Sequence, residues 1–123
     1  FAGAAITYSN EEKTRQLGVR AETLASDGAV SEACVREMAT GALDRFNAEV
    51  AVAASGIAGP DGGSPDKPVG TVWLALALRR PTGAEIITKR ISWPAARDMV
   101  RTLTAWWAMD MIRQALLAEE QGQ

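Results

Sequence analysis

Two unbroken and mainly apolar runs, Val50 to Ala54 and Thr71 to Leu78, dominate the hydrophobic pattern of the chain. Each has the length of one strand, and neither alternates with polar residues. Such runs predict strands covered on both faces, so Val50 to Ala54 is expected at the centre of a sheet. Glu85 to Ser92 does alternate and carries Lys89 and Arg90, as an edge strand does. Arg79-Arg80-Pro81-Thr82-Gly83 between the last two runs reads as a hairpin turn, which makes them antiparallel neighbours. Ala4 to Thr7 reads as a further short strand, already under way where the chain opens.

Helical spacing fills the remainder. Ser9-Asn10-Glu11-Glu12 has the form of a capping box, with Ser9 as the N-cap of a short helix that Gly18 closes after Leu17. A second helical turn is expected around Glu22 to Ala25. Ser31 caps a helix whose Val35, Met38, Ala39, Ala42, Leu43 and Phe46 make one continuous apolar face. Pro94 is read as the start of a last long helix with a stripe of Val100, Leu103, Trp107 and Ile112. Trp106 and Trp107 point about 100° apart on that helix. They cannot both face one core, so one of them suggests a subunit interface. Only Glu119 to Gln123 reads as disordered. The expected architecture is a three-layer α/β/α sandwich with a mixed, mainly parallel sheet.

Composition narrows the chemistry. A length of 123 residues suits a single domain over 1–123. A net charge of −2 and the lack of a Lys/Arg stripe argue against nucleic acid or an anionic membrane as partner. No apolar run is long enough to span a bilayer. Cys34 is the sole cysteine, which excludes an internal disulfide and favours a reducing, cytoplasmic setting. It borders an apolar face and reads as core. With no histidine, triads built on imidazole are excluded and zinc lacks its usual nitrogen ligand. No metal or cofactor is expected, and any base must come from Lys, Tyr, Asp or Glu.

Three places could carry such chemistry. The stretch Ser55-Gly56-Ile57-Ala58-Gly59-Pro60-Asp61-Gly62-Gly63-Ser64 leaves the end of an apolar strand. Glycines at such an end let backbone N–H groups approach an anion closely, although a purely structural turn has the same composition. Tyr8 and Lys13 occupy the two positions of a hydrophobic staple around the first helix. A desolvated lysine can act as a base and a tyrosine can relay a proton; a solvated lysine beside a half-buried tyrosine is the plainer alternative. Arg97 and Arg101, four apart on the last helix, can act together on an anion or simply face solvent.

The glycine stretch from Ser55 to Ser64, followed by Lys67-Pro68-Val69-Gly70-Thr71-Val72-Trp73, closely resembles the signature of the CinA C-terminal domain, the nicotinamide-nucleotide amidohydrolase family. Ile6-Thr7-Tyr8-Ser9-Asn10-Glu11-Glu12-Lys13 and Gly28-Ala29-Val30-Ser31 resemble it in the same order. The resemblance implies hydrolysis of the carboxamide of nicotinamide mononucleotide to nicotinate mononucleotide and ammonia, without metal. It implies that Tyr8 and Lys13 activate a serine nucleophile, with Ser55 a hydroxyl at the mouth of the loop. Gly56, Gly59, Gly62, Gly63, Arg97 and Arg101 are the implied substrate-binding residues. The family's nucleophile lies in an Ala-Glu-Ser-Cys-Thr-Gly-Gly stretch that does not occur here. The chain is therefore expected to be a domain truncated at its N-terminus. A non-catalytic nucleotide-binding module and an oligomerisation domain are the alternatives.

Overall fold

The computed structural model describes residues 1–122. Its elements run α1 (Asn10–Leu17), α2 (Ala21–Ser26), α3 (Glu32–Arg45), β1 (Val50–Gly56), β2 (Thr71–Arg80), β3 (Gly83–Ser92) and α4 (Arg97–Gln121). The three strands form one sheet in the order β1-β2-β3. Both pairings are antiparallel, with Val50 opposite Leu78 and Leu78 opposite Glu85. The α/β class is as expected, but the mainly parallel sheet is not found among these strands. A long loop returns the chain from β1 to β2 at the same end of the sheet, and a two-residue turn joins β2 to β3, so each strand reverses the one before it.

Sequence alternation along β2 builds the layers. Val72, Leu74, Leu76 and Leu78 point to one face and pack with Val100, Met111 and Ala115 of α4. Ala75 and Ala77 point to the other, where Leu17 of α1 and Cys34, Val35, Met38, Ala39 and Leu43 of α3 complete a second core. The successive side chains of a strand alternate between faces, so a run apolar at every position needs a helical layer on both sides. Cys34 is fully buried, as expected of core. Small residues keep the layers close. A Cβ on Gly41 of α3 would run into the carbonyl of Leu17, so the C-terminal end of α1 sits directly on the backbone of α3.

Several local expectations need correction. Val50 to Ala54 is a strand but not a central one: β1 pairs only with β2, its outer edge is unpaired among the described residues, and Ala54 is exposed. Residues 1–8 run beside that edge without forming a strand, because no ladder joins them to β1. Ser9 accepts the Glu12 N–H at 3.2 Å as a cap should, but the Glu12 carboxylate turns to Arg15 and Gln16 instead of completing the box. α4 begins at Arg97 rather than Pro94, with Ala96 at its N-cap. Residues 119–121, read from the sequence as disordered, continue the helix, and Gln123 lies outside the described residues.

Replacing Gly41 with alanine must push α1 off α3. We expect Gly41→Ala to lower stability by about 1–3 kcal/mol, the usual cost of overpacking, as read from urea unfolding midpoints. A change below about 0.5 kcal/mol, the range of neutral surface substitutions, would show that the two helices have room to separate.

Candidate active site

Loop 57–70 connects the C-terminal end of β1 to the N-terminal end of β2. Its base is closed by the Gly70 N–H donating to the Ile57 carbonyl at 2.7 Å and the Ile57 N–H donating to the Thr71 carbonyl at 2.9 Å. Gly59, Gly62, Gly63 and Gly70 all have positive φ, a region that side chains with a Cβ rarely enter. A Cβ on Gly70 would also strike the Trp93 carbonyl, which is why the loop can fold against the end of β3. Within the loop, Ser64 and Lys67 form a small turn, the Ser64 N–H donating to the Lys67 carbonyl and the Lys67 N–H to Ser64 Oγ. The N–H groups of Gly62 and Gly63 make no hydrogen bond within the described residues.

Lys13 is held differently from a surface lysine. α1 carries it inward until it is 7% exposed, and Nζ donates to the Thr7 carbonyl at 2.7 Å. A buried ammonium needs such a partner, since desolvation without a hydrogen bond is costly. The staple contact with Tyr8 does not form, because the tyrosine ring is 95% exposed while the lysine turns inward. Both residues nevertheless line one groove of about 600 Å³, which runs between residues 1–8 and the free edge of β1 and has Leu17, Met38 and Phe46 in its wall. Ser55, half-buried, lies opposite Trp73 on the face of the sheet that α3 covers. Gly56 follows it, so close to β2 that a Cβ would touch Val72 and the Thr71 carbonyl.

The two arginines have different surroundings. Arg97 Nη1 donates to the Gly59 carbonyl at 2.9 Å, so its guanidinium steadies the glycine loop. Arg101 lines a separate crevice of about 370 Å³ between α4 and the end of β1, with Ala54, Gly56, Ala58 and Thr104. Two other contacts to the loop had no signal in the sequence, because their partners are distant in the chain: Lys67 Nζ donates to the Asp27 carbonyl at 2.6 Å, and Arg90 Nη2 to the Asp66 carbonyl at 3.0 Å. The burial of Cys34 pushes its thiol upward, away from the thiolate that a nucleophile requires. No cluster of three or more potential metal ligands from His, Cys, Asp and Glu occurs among the described residues, and no described helix is long and apolar enough to cross a membrane.

The fold is thus a three-layer α/β domain with a glycine loop at one end of its sheet and a buried lysine beside a groove. Comparison with known proteins places it more closely. The model of the CinA C-terminal domain matches residues 1–116. The nicotinamide-nucleotide amidohydrolase PncC of Escherichia coli (strain K12) is 51% identical over 117 residues, which cover 95% of this chain and 69% of that protein. A CinA-like protein of Shewanella baltica is 52% identical over 115 residues, covering 93% of this chain and 26% of its own length. The crystal structure of competence/damage inducible protein CihA from Agrobacterium tumefaciens superimposes with a TM-score of 0.82 at 42% identity, over 88% of this chain and 64% of that one. The chain belongs to the CinA C-terminal domain family.

Arg15 and then Gln16 hold the Glu12 carboxyl down at about 2, from an ordinary value of 4.5. A carboxylate depressed in the folded state stabilises it fully above its unfolded value, and that contribution is lost as pH falls through the folded one. We therefore expect Glu12 to titrate near pH 2 by NMR, and Glu12→Gln to lower stability at pH 6 but not at pH 1.5. A Glu12 titration near 4.5 would show that Arg15 and Gln16 do not hold it in solution.

Proposed function

We propose that this chain provides the glycine loop and the proton-handling residues of an amidohydrolase. Its substrate is nicotinamide mononucleotide, and its products are nicotinate mononucleotide and ammonia. The observation that carries this reading is the 51% identity to a nicotinamide-nucleotide amidohydrolase across 95% of the chain. The geometry is compatible with it. Lys13, buried beside the groove with one carbonyl partner, is the base: in its neutral form the amine takes the proton of an attacking hydroxyl and becomes the ammonium. Tyr8 relays that proton toward the departing ammonia once its ring swings in from solvent. The loop N–H groups at Gly56, Gly59, Gly62 and Gly63, with Arg97 or Arg101, receive the phosphate. Ser55 orients or polarises the amide. The attacking serine is assigned to the family's Ala-Glu-Ser-Cys-Thr-Gly-Gly stretch, outside residues 1–123.

We expect residues 1–123 alone to release no ammonia from nicotinamide mononucleotide, and a protein that also contains that stretch to release it. There, Lys13→Met should cut kcat by roughly 10²–10⁴-fold with little change in binding, the usual contribution of a positioned base. Tyr8→Phe should do the same more mildly. Turnover by residues 1–123 alone would move the nucleophile into this chain and make Ser55 the first residue to test.

The same reading places the protein in the cytoplasm, consistent with its single, buried, unpaired thiol, and makes it a homo-oligomer. Trp107 is half-buried beneath Lys89, whose Nζ lies 3.9 Å from the ring centre. Trp106 and Met109, 71% and 69% exposed, face outward along α4, and large exposed apolar groups in a row suit a contact between subunits. Sedimentation at micromolar concentration should show an oligomer that Trp106→Glu dissociates. A monomer under those conditions removes this part of the proposal.

A further inference from the structure

The glycine loop needs external anchors. Four positive-φ glycines give residues 57–70 a large conformational entropy to lose, and no backbone hydrogen bond joins one residue of 58–63 to another. Beyond the backbone bonds that close its base and the turn between Ser64 and Lys67, three cations donating to carbonyls fasten it: Arg97 to Gly59 and Arg90 to Asp66, both in the loop, and Lys67 from the loop to Asp27. The first comes from α4 and the second from β3. Lys67 alone reaches the helical layer that contains Lys13, spanning 40 residues of sequence to the corner between α2 and α3.

That corner is itself well fixed. The Asp27 carbonyl lies at the C-cap of α2, and Gly28, with φ of 81°, turns the chain toward the Ser31 cap of α3. Ser31 Oγ donates back to the Gly28 carbonyl at 2.8 Å and accepts the Cys34 N–H at 3.2 Å. A Cβ on Gly28 would lie 3.3 Å from Lys67 Nζ, so the ammonium rests against bare backbone. Lys13 belongs to the same layer, because α1 packs on α3 through Leu17 and the bare backbone of Gly41.

We propose that Lys67 is a positioning residue: its bond to the Asp27 carbonyl sets the glycine loop at a fixed distance from the layer that holds Lys13, so that the loop N–H groups and the lysine meet one substrate together. Lys67 does not touch the reacting atoms. It acts through the loop, and this inference rests on the activity proposed above.

The test has one readout that needs substrate and one that does not. In a protein that also contains the Ala-Glu-Ser-Cys-Thr-Gly-Gly stretch, Lys67→Met should raise KM for nicotinamide mononucleotide on the order of tenfold, the loss expected for one charge-assisted hydrogen bond. kcat should change by less than about twofold, because the proton-handling residues are untouched. Amide hydrogen exchange at residues 58–66 should accelerate without substrate while exchange in β2 stays slow. Lys67→Arg, which keeps a donor cation, should restore both KM and protection. Unchanged exchange in Lys67→Met overturns the tether. Faster exchange with an unchanged KM overturns the positioning role. If the unaltered protein fails to hydrolyse nicotinamide mononucleotide, the proposed activity falls, and the exchange experiment still decides the tether.

Discussion

Between Val72 and Leu78, β2 contains no polar side chain, and its neighbours on the sheet leave both faces open. At about 25 cal/mol per Å² of apolar surface, such a strand is stable only when both faces are covered. α3 with α1 covers one and α4 covers the other, and every other placement follows from that. β1 and β3 flank β2 as edges, and the loop between β1 and β2 is left at the end of the sheet, where its residues 60–66 stay exposed although each helical layer holds the loop by one hydrogen bond. The location of the glycine loop is thus a consequence of how β2 is buried.

A second constraint acts on the α1 layer. Lys13 is nearly as buried as Leu17, one turn further along the same helix. An ammonium in that position must find an oxygen, and the nearest is the Thr7 carbonyl just before the helix. This bond ties residues 1–8 to α1 even though they form no strand, and it aligns the wall of the groove along β1. The burial of one lysine side chain therefore fixes both its own position and the course of the residues before it.

Most of the elements could be read from the sequence because each rests on a local signal. Ser9 and Ser31 cap their helices, Gly18 ends α1 in the left-handed region, and the face of α3 from Val35 to Leu43 is buried. What could not be read depends on partners in space. An apolar run such as Val50 to Ala54 says that a strand can be buried, not that it has a neighbour on both sides, so β1 was placed at the centre of a sheet whose edge it forms. Parallel and antiparallel pairing likewise share one composition when the connecting loop is long. At the site, Tyr8, Lys13 and the glycine loop stand out by residue type. The tie between Lys67 and Asp27 leaves no pattern, since lysine and a backbone carbonyl are unremarkable at any spacing.

On the proposed function, the cations around the loop bear on how a chain with net negative charge would receive an anion. Each peptide unit of a glycine loop presents a carbonyl as well as an N–H, so it favours an anion only where the N–H groups converge and the carbonyls point away. Here the carbonyls of Gly59 and Asp66 are each taken by a guanidinium, and that of Lys67 by the Ser64 N–H. The N–H groups of Gly62 and Gly63 remain unpaired within the described residues. Those carbonyls thus have donors of their own, and two of the donors are guanidinium groups on the carbonyl side of the loop. On the proposed function, an arginine that binds the loop would support anion binding through the loop, and Arg97 is placed to do so from the carbonyl side of Gly59.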